Sequence, residues 1–464
     1  MLSLPKTIIG KRRWILLLLP LLVGYSVLMA SIMDVYDGSG RARNPQRTFL
    51  RNDVDSVHPK SPFHQRGEQF DSSVTRDRGV LMCIHNGVLA LGVSLIRELR
   101  CLGNRELIQV YHCGPAELSQ ESKDFLVRID DRLELVDVCS DLMQRGSISE
   151  RLTRWFRNWW IKPLAMYHTD VRHVMLMDVD DIFVEDPATL RDLELYKKTG
   201  TTFFYDRVHS NCGVYVNGKD GGIPYLKKLF ATFNYTQFNV TGGNSPSQQA
   251  LNSFAYNGKA CHEMDSSLVL VDKERAGQTV MDIMFWFITK ERFRFDFSFG
   301  DKEMFWLSFE MAHVPYAFSP WGVSVVSSWP NADMKNHPDS LCGSILQYLP
   351  DSSTNPQVLY VNGKALLDPY PDGINFGSTI QRNNMFNALP THMTPHLPRT
   401  ELNKTASRAG RKVKMHQECL VGLGATPLPE SFAGRLLRRR LHYLGAMAGV
   451  LGSLELCGTF SLPN

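Results

Sequence analysis

Three aspartates, Asp178, Asp180 and Asp181, follow directly on an apolar run, Val174, Met175, Leu176 and Met177. Carboxylates this close repel one another, and a half-buried set stays ionised only beside a cation or a cationic group. A divalent metal meets that need through oxygen ligands, leaving the remaining positions for water and phosphate oxygens. Alternation along an extended strand places Asp178 and Asp180 on one side, so that both reach the same ion. The chemistry that suits this Asp-x-Asp spacing is the binding of a diphosphate and the stabilisation of charge as it leaves. The plainer alternative is an acidic strand end, since Glu185, Asp186 and Pro187 make a loop signal just beyond it.

Such a cluster needs a sheet edge to hold it. The run 174–177 has no polar residue on either face, as in a strand buried inside a parallel sheet. Its carboxyl end is where open α/β sheets bind ligands. Strands are expected at 80–84, 107–111, 133–138, 201–205 and 268–271, with 214–216 as a further piece of sheet. Helices are expected at 90–102, where Leu91, Leu95, Leu99 and Leu102 repeat at three and four, and at 155–168, 276–289 and 304–311. Strands alternating with helices in this way predict an α/β fold with a doubly wound sheet. The stretch 234–253 reads as an exposed loop.

The chain has 464 residues, 43% hydrophobic and 21% charged, with a net charge of +4, which suits one large α/β body with appendages and excludes nucleic acid as the expected partner. Lys6, Lys11, Arg12 and Arg13 precede an uncharged apolar stretch at 14–33. That pattern predicts a cytosolic tail (1–13), an uncleaved transmembrane anchor (14–33) and a luminal remainder. Residues 34–78 read as a polar stem. Sequons at Asn234, Asn239 and Asn403 fall on the luminal side. The nine cysteines have no close pair, which argues against zinc; in an oxidising lumen some of them should form disulfides, with at least one left over.

The chain resembles the fungal and oomycete Golgi α-mannosyltransferases, retaining enzymes of the GT-A fold. The resemblance rests on SLIRELRCLGNRELIQVYH (94–112), KPLAM (162–166), LMDVDDIFVEDP (176–187), TGTTFFYDR (199–207), MDSSLVLVDK (264–273) and GDKEMFWLSF (300–309), all in the family's order. It implies a GT-A-type mixed sheet over residues 79–375 and a type II Golgi membrane enzyme. Its donor would be GDP-mannose, its acceptor a glycan or glycoprotein, and its cofactor Mn²⁺ or another divalent cation. Asp178 and Asp180 are then the expected metal ligands, with Asp178 also able to hold ribose and Asp181 behind them. Lys162, Arg207 and Lys302 are candidates for the diphosphate. Asp265, Asp301 and Glu303 are candidates for the carboxylate that faces an oxocarbenium-like sugar. A strand cap or a helix amino-terminal acid explains each of these three equally well.

Two departures from the family pattern stand out. Asp265-Ser266-Ser267 replaces the usual Glu-Ser-Gly, and Asn362 stands where a histidine is usual, offering metal a neutral oxygen instead. His337 is an alternative ligand for which a surface loop is the plainer reading. Residues 376–464 show no family motif; four arginines at 435–440 and the apolar stretch 441–460 suggest an amphipathic or disordered tail rather than a second span. Competing functions are transfer from another nucleotide sugar, such as UDP-galactose or UDP-glucose, and non-catalytic glycan binding in the lumen.

Overall fold

A computed structural model describes residues 62–208, 213–328, 340–351, 353–368, 389–400, 419–450 and 457–458. The expected tail and anchor, most of the stem, His337 and Asn403 lie outside the described residues. Among the described residues no helix is long and apolar enough to cross a membrane.

The apolar run forms the strand His173–Met177, whose last four residues are buried, near the middle of a seven-stranded mixed sheet. The sheet order is His64–Arg66, Leu133–Asp137, Leu107–His112, Arg78–Cys83, His173–Met177, Met264–Asp272, Thr201–Tyr205. The four strands from Leu133–Asp137 to His173–Met177 are parallel. Met264–Asp272 runs antiparallel to both of its neighbours. This is the expected doubly wound mixed α/β arrangement. Helices Leu89–Cys101, Ile161–His168, Lys273–Trp286 and Lys302–Met311 bury apolar residues in the two main cores.

Several boundaries differ for physical reasons. The strand expected at 268–271 begins at Met264, because its polar start is buried and pairs with the end of Thr201–Tyr205. The residues expected to continue the sheet at 214–216 instead form a short 3₁₀ turn, Tyr215–Asn217. Order also starts before Gly79: His64–Arg66 pairs with Leu133–Asp137. Glu134 is fully buried there and accepts from His64 at 2.9 Å, Arg66 at 2.9 Å and Arg76 at 2.8 Å. Burial alone would raise the Glu134 carboxyl, but the hydrogen bond from His64 and the charges of Arg76 and Arg66 hold it below the usual range. A buried acid has thus drawn the end of the stem into the fold.

A second sheet, antiparallel throughout, has the order Thr426–Pro427, His392–Met393, Ser324–Ser327, Ser344–Tyr348, Val358–Asn362, Asp181–Phe183. Its last strand begins at the third aspartate of the cluster, so the acidic turn is the hinge between the sheets. Where it is described, the carboxyl-terminal segment, expected as an amphipathic or disordered tail, is an ordered helix with one face buried. Glu430–Met447 is a helix packed on Leu89–Cys101, with Arg438, Arg439 and Arg440 no more than 2% exposed. A disulfide from Cys101 to Cys457 fastens it. Cys113 pairs with Cys139, Cys261 and Cys342 are also disulfide-bonded, and Cys83 is free.

Candidate active site

At Met177 the chain leaves the strand and turns, the Asp181 amide donating to the Asp178 carbonyl at 3.3 Å. Period-two alternation therefore does not govern the aspartates, and the expected same-side pair separates. Asp178 turns to Lys162, whose Nζ lies 2.8 Å from Asp178 Oδ1. Asp180 turns to the end of Val358–Asn362: its Oδ1 accepts from Asn362 Nδ2 at 3.2 Å and its Oδ2 from the Lys364 amide at 3.1 Å. Asn362 Nδ2 also donates to Asp181 Oδ1 at 2.9 Å. Asn362 thus faces the acids with its amide nitrogen, whereas the sequence suggested its oxygen as a ligand.

Lys162 is the centre of the arrangement. It is 4% exposed, on the first turn of Ile161–His168, and also lies 3.0 Å from Asp301 Oδ2 and 2.8 Å from the Ser266 carbonyl. Its ammonium is buried among these neighbours, so it positions carboxylates instead of reaching out to a diphosphate. Burial would lower its ammonium pKa, but Asp178 and Asp301 outweigh that and hold it well above the ordinary value. Asp301 stands just before Lys302–Met311 without capping it through its side chain, and is oriented further by the Ser266 hydroxyl at 3.1 Å. KPLAM, MDSS and GDKE therefore meet at one ammonium.

The other candidates form an adjoining network. Lys302 is ion-paired with Asp206, a buried residue at the end of Thr201–Tyr205. Burial would raise the Asp206 carboxyl, but Lys302, then His262 and Arg207, hold it below the usual range. Arg207 donates to the Gly343 carbonyl at 3.2 Å. Asp265 accepts from the Ser267 amide at 3.1 Å, the Ser267 hydroxyl at 2.9 Å and Gln347 Nε2 at 3.0 Å. Burial and the nearby Asp206 raise its pKa. Glu303 is fully buried and accepts from Trp306 Nε1 at 2.6 Å and the Glu263 amide at 3.1 Å. It anchors its helix and is closed off from any sugar, which corrects its candidacy. Gln347 carries no motif signal in the sequence, whereas Asp206 lies inside TGTTFFYDR beside the candidate Arg207.

Among the described residues no group of three or more His, Cys, Asp and Glu is arranged to hold a metal ion. The acidic turn nevertheless suits a cation held by two carboxylates and completed by phosphate oxygens and water. Asp181 is fully buried and its Oδ2 has no hydrogen-bond partner. Burial, followed by repulsion from Asp178 and Asp180, pushes the Asp181 carboxyl well above its ordinary value. Burial likewise takes Asp178 up to about 7, against the pull of Lys162. These carboxyls crowd one turn with Lys162 as the cation beside them, a setting whose repulsion a divalent cation would relieve.

One further residue braces the turn. Arg439, fully buried on the carboxyl-terminal helix, donates to the carbonyls of Val179 at 3.0 Å and Asp181 at 3.2 Å and to the Ser94 hydroxyl. Its neighbour Arg438 pairs with the buried Glu98, Nε to Oε2 at 2.8 Å. Arg439→Met keeps the bulk but leaves these acceptors unmet, so it should cost about 3 kcal/mol in chemical unfolding. Arg439→Lys, which keeps the charge but loses the planar fork, should fall between wild type and Met.

A family model described as "Mannosyltransferase putative" matches residues 77–349, more than half of the chain. The chain belongs to this mannosyltransferase family. It is 25% identical over 281 residues to "Putative alpha-1,3-mannosyltransferase MNN14" of Candida albicans, covering 58% of this chain and 36% of the relative. It is 20% identical over 301 residues to "Alpha-1,3-mannosyltransferase MNT2" of Saccharomyces cerevisiae, covering 62% of this chain and 51% of the relative. The chain thus spans between a third and about half of the length of these curated relatives. Among solved structures, a galactosyltransferase, LgtC, in complex with donor and acceptor sugar analogs aligns at 12% identity and a TM-score of 0.29, over 52% of this chain and 74% of the other.

Proposed function

We propose that this chain transfers mannose from GDP-mannose to a mannosylated glycan or glycoprotein with retention of anomeric configuration, using a divalent cation such as Mn²⁺, on a GT-A-type fold. The observation that carries the reading is the acidic turn at the carboxyl end of the central strand, tied through Lys162 to Asp301, in a chain of the mannosyltransferase family. When bound at Asp180 and Asp178, the cation supplies charge stabilisation for the departing diphosphate.

The chain's own residues do the positioning. Lys162 holds Asp178 and Asp301 in one place, so that carboxylate density is fixed before substrate arrives. Asp301 and Asp265 are the two acids that stand to face positive charge developing on the sugar, and the Ser266 hydroxyl and Gln347 orient them. Lys162 and Lys302 are already paired with carboxylates, so neither is left to serve as the main partner of a diphosphate. The acids recognise diphosphate rather than base or sugar, so a UDP-sugar donor is the second reading.

The same proposal places the protein as a single-pass type II Golgi membrane enzyme with its catalytic body in the lumen. Disulfides at Cys101–Cys457 and Cys113–Cys139 support an oxidising compartment, and Asn234 and Asn239 are exposed for glycosylation. Isothermal titration of the detergent-solubilised full chain with GDP and UDP, with and without Mn²⁺, tests the donor assignment. GDP should bind at least about tenfold more tightly than UDP and only with the cation, a difference of about 1.4 kcal/mol. Equal or reversed affinities would remove GDP-mannose as the donor.

A further inference from the structure

The surface beside the acid cluster carries an unusual number of exposed rings. Trp155 is 59% exposed, Trp159 50%, Phe299 49% and Phe293 39%. Large aromatic side chains left in water together mark a surface that something else covers. The rings are ordered against one another. Trp159 and Phe299 have centroids 5.2 Å apart, and Trp155 meets Phe293 edge-on at 5.5 Å. Tyr215 lies 6.0 Å from Phe299.

The backbone is committed to this display. Asn158, just before Trp159, and Tyr215 both hold φ near 55°, a left-handed conformation that non-glycine residues adopt at a cost. Gly300, at φ 72°, lies against Trp159: a Cβ there would meet the indole at 3.2 Å. Beneath the surface Arg292 lies 4.4 Å from the Trp160 ring, 4.7 Å from Phe156 and 4.6 Å from Phe293. Its Nε and Nη2 are buried without a hydrogen-bond partner, so ring faces take the place of a carboxylate beside it.

The position of the rings says what covers them. Trp159 precedes Lys162 by three residues and Phe299 precedes Asp301 by two. Lys162 and Asp301 are the ion pair that holds Asp178. The two most central rings therefore stand on the turns that enter the two elements of the acid cluster. Tyr215 continues the surface to His262, 4.9 Å away, which lies 3.3 Å from Glu303 on the Asp301 helix. A pyranose has an apolar C–H face that stacks on aromatic rings and a rim of hydroxyls that needs polar neighbours, and the exposed Asp296, in electrostatic reach of the buried His262, supplies one here.

We propose that Trp159, Phe299 and Tyr215, extended by Trp155 and Phe293, form the platform on which the acceptor glycan stacks, sugar by sugar, with its reacting hydroxyl directed to the acid cluster. This rests on the transferase reading and adds the acceptor's chemistry to it. A platform of rings fixes the acceptor by shape and stacking, leaving the acids to the donor. Successive rings along the surface suit a chain of sugars better than a single one.

The test uses the full chain in detergent and an α-linked manno-oligosaccharide as probe. Intrinsic tryptophan fluorescence should change saturably on titration. Trp159→Ala and Phe299→Ala should each weaken that binding, and raise the acceptor KM, by about tenfold or more. Trp159→Tyr, which keeps a ring, should recover most of the loss. The donor KM and hydrolysis of the nucleotide sugar without acceptor should stay within twofold, a separation that a merely unfolded variant does not give. Trp155→Ala, at the exposed edge, should raise the KM of long acceptors more than that of short ones. Unchanged acceptor binding in both central variants would overturn the proposal. So would loss of vesicle binding or of self-association with glycan binding intact. Saturable glycan binding through these rings in a protein that turns over no nucleotide sugar would uphold the platform and remove the transferase reading instead.

Discussion

Lys162→Met should destabilise the protein by about 3–5 kcal/mol and abolish transfer. The ammonium is the shared cation of Asp178 and Asp301, both drawn toward it within 3.0 Å. Removing one partner of a buried pair leaves uncompensated charge behind, and the loss exceeds anything the pair itself contributed. Here two carboxylates are left, so protons must replace the ammonium. Raising pH should then destabilise the variant relative to wild type: acids whose folded pKa values lie above their unfolded ones release protons more readily when unfolded, and stability falls as pH climbs between the two. Lys162→Arg keeps the charge but must fit a larger planar group into a site with 4% exposure, so it should recover only part of the stability. Chemical unfolding across pH 5 to 8 checks this. A Met variant as stable as wild type would show that Lys162 is dispensable to the cluster.

Asp180→Asn should leave the fold intact and lower transfer by about 10²–10³-fold, the scale of losing one preorganised electrostatic contact to developing charge. Asp180 is partly exposed, and its two structural bonds, from the Lys364 amide at 3.1 Å and Asn362 at 3.2 Å, are modest. An amide retains one acceptor, so the cost to stability should stay near about 1 kcal/mol. The charge is what disappears. A cation bound only to the native state raises the unfolding temperature, so Mn²⁺ should stabilise wild type and not the Asn variant. That readout does not depend on turnover. An Asn variant that is as active as wild type and still stabilised by Mn²⁺ would take the cation away from this turn.

Much of the framework was legible because it is local. The apolar run before Asp178 has to be a buried strand, and the leucine repeat from Leu91 has to be a helix. Lys162, Asp265 and Asp301 each stood out in a short motif. Local pattern does not reveal that KPLAM and GDKE share an ion pair, since that contact is made only when distant segments pack. Alternation misled at Asp178 and Asp180 because it holds only while the backbone stays extended, and the strand ends at Met177. The carboxyl-terminal arginines depart from the expected solvated run for a related reason. A run of like charges is normally solvated, and only the fold shows the buried Glu98 and the carbonyls of the acidic turn that receive it. A hint was present: Glu98 lies three residues after Leu95 on the helix face marked by Leu91 and Leu95, and an acid on an apolar face needs a cation from elsewhere.

In our reading the Lys162-centred acid cluster serves cation-assisted transfer from GDP-mannose. Mass spectrometry tests it most directly: the full chain is incubated with an α-linked manno-oligosaccharide and GDP-mannose, UDP-galactose or UDP-glucose, each with Mn²⁺ or with a chelator. The expected product is one hexose heavier, formed from GDP-mannose, present with Mn²⁺ and absent with the chelator. Transfer from a UDP-sugar alone, or product from GDP-mannose undiminished by the chelator, would contradict it.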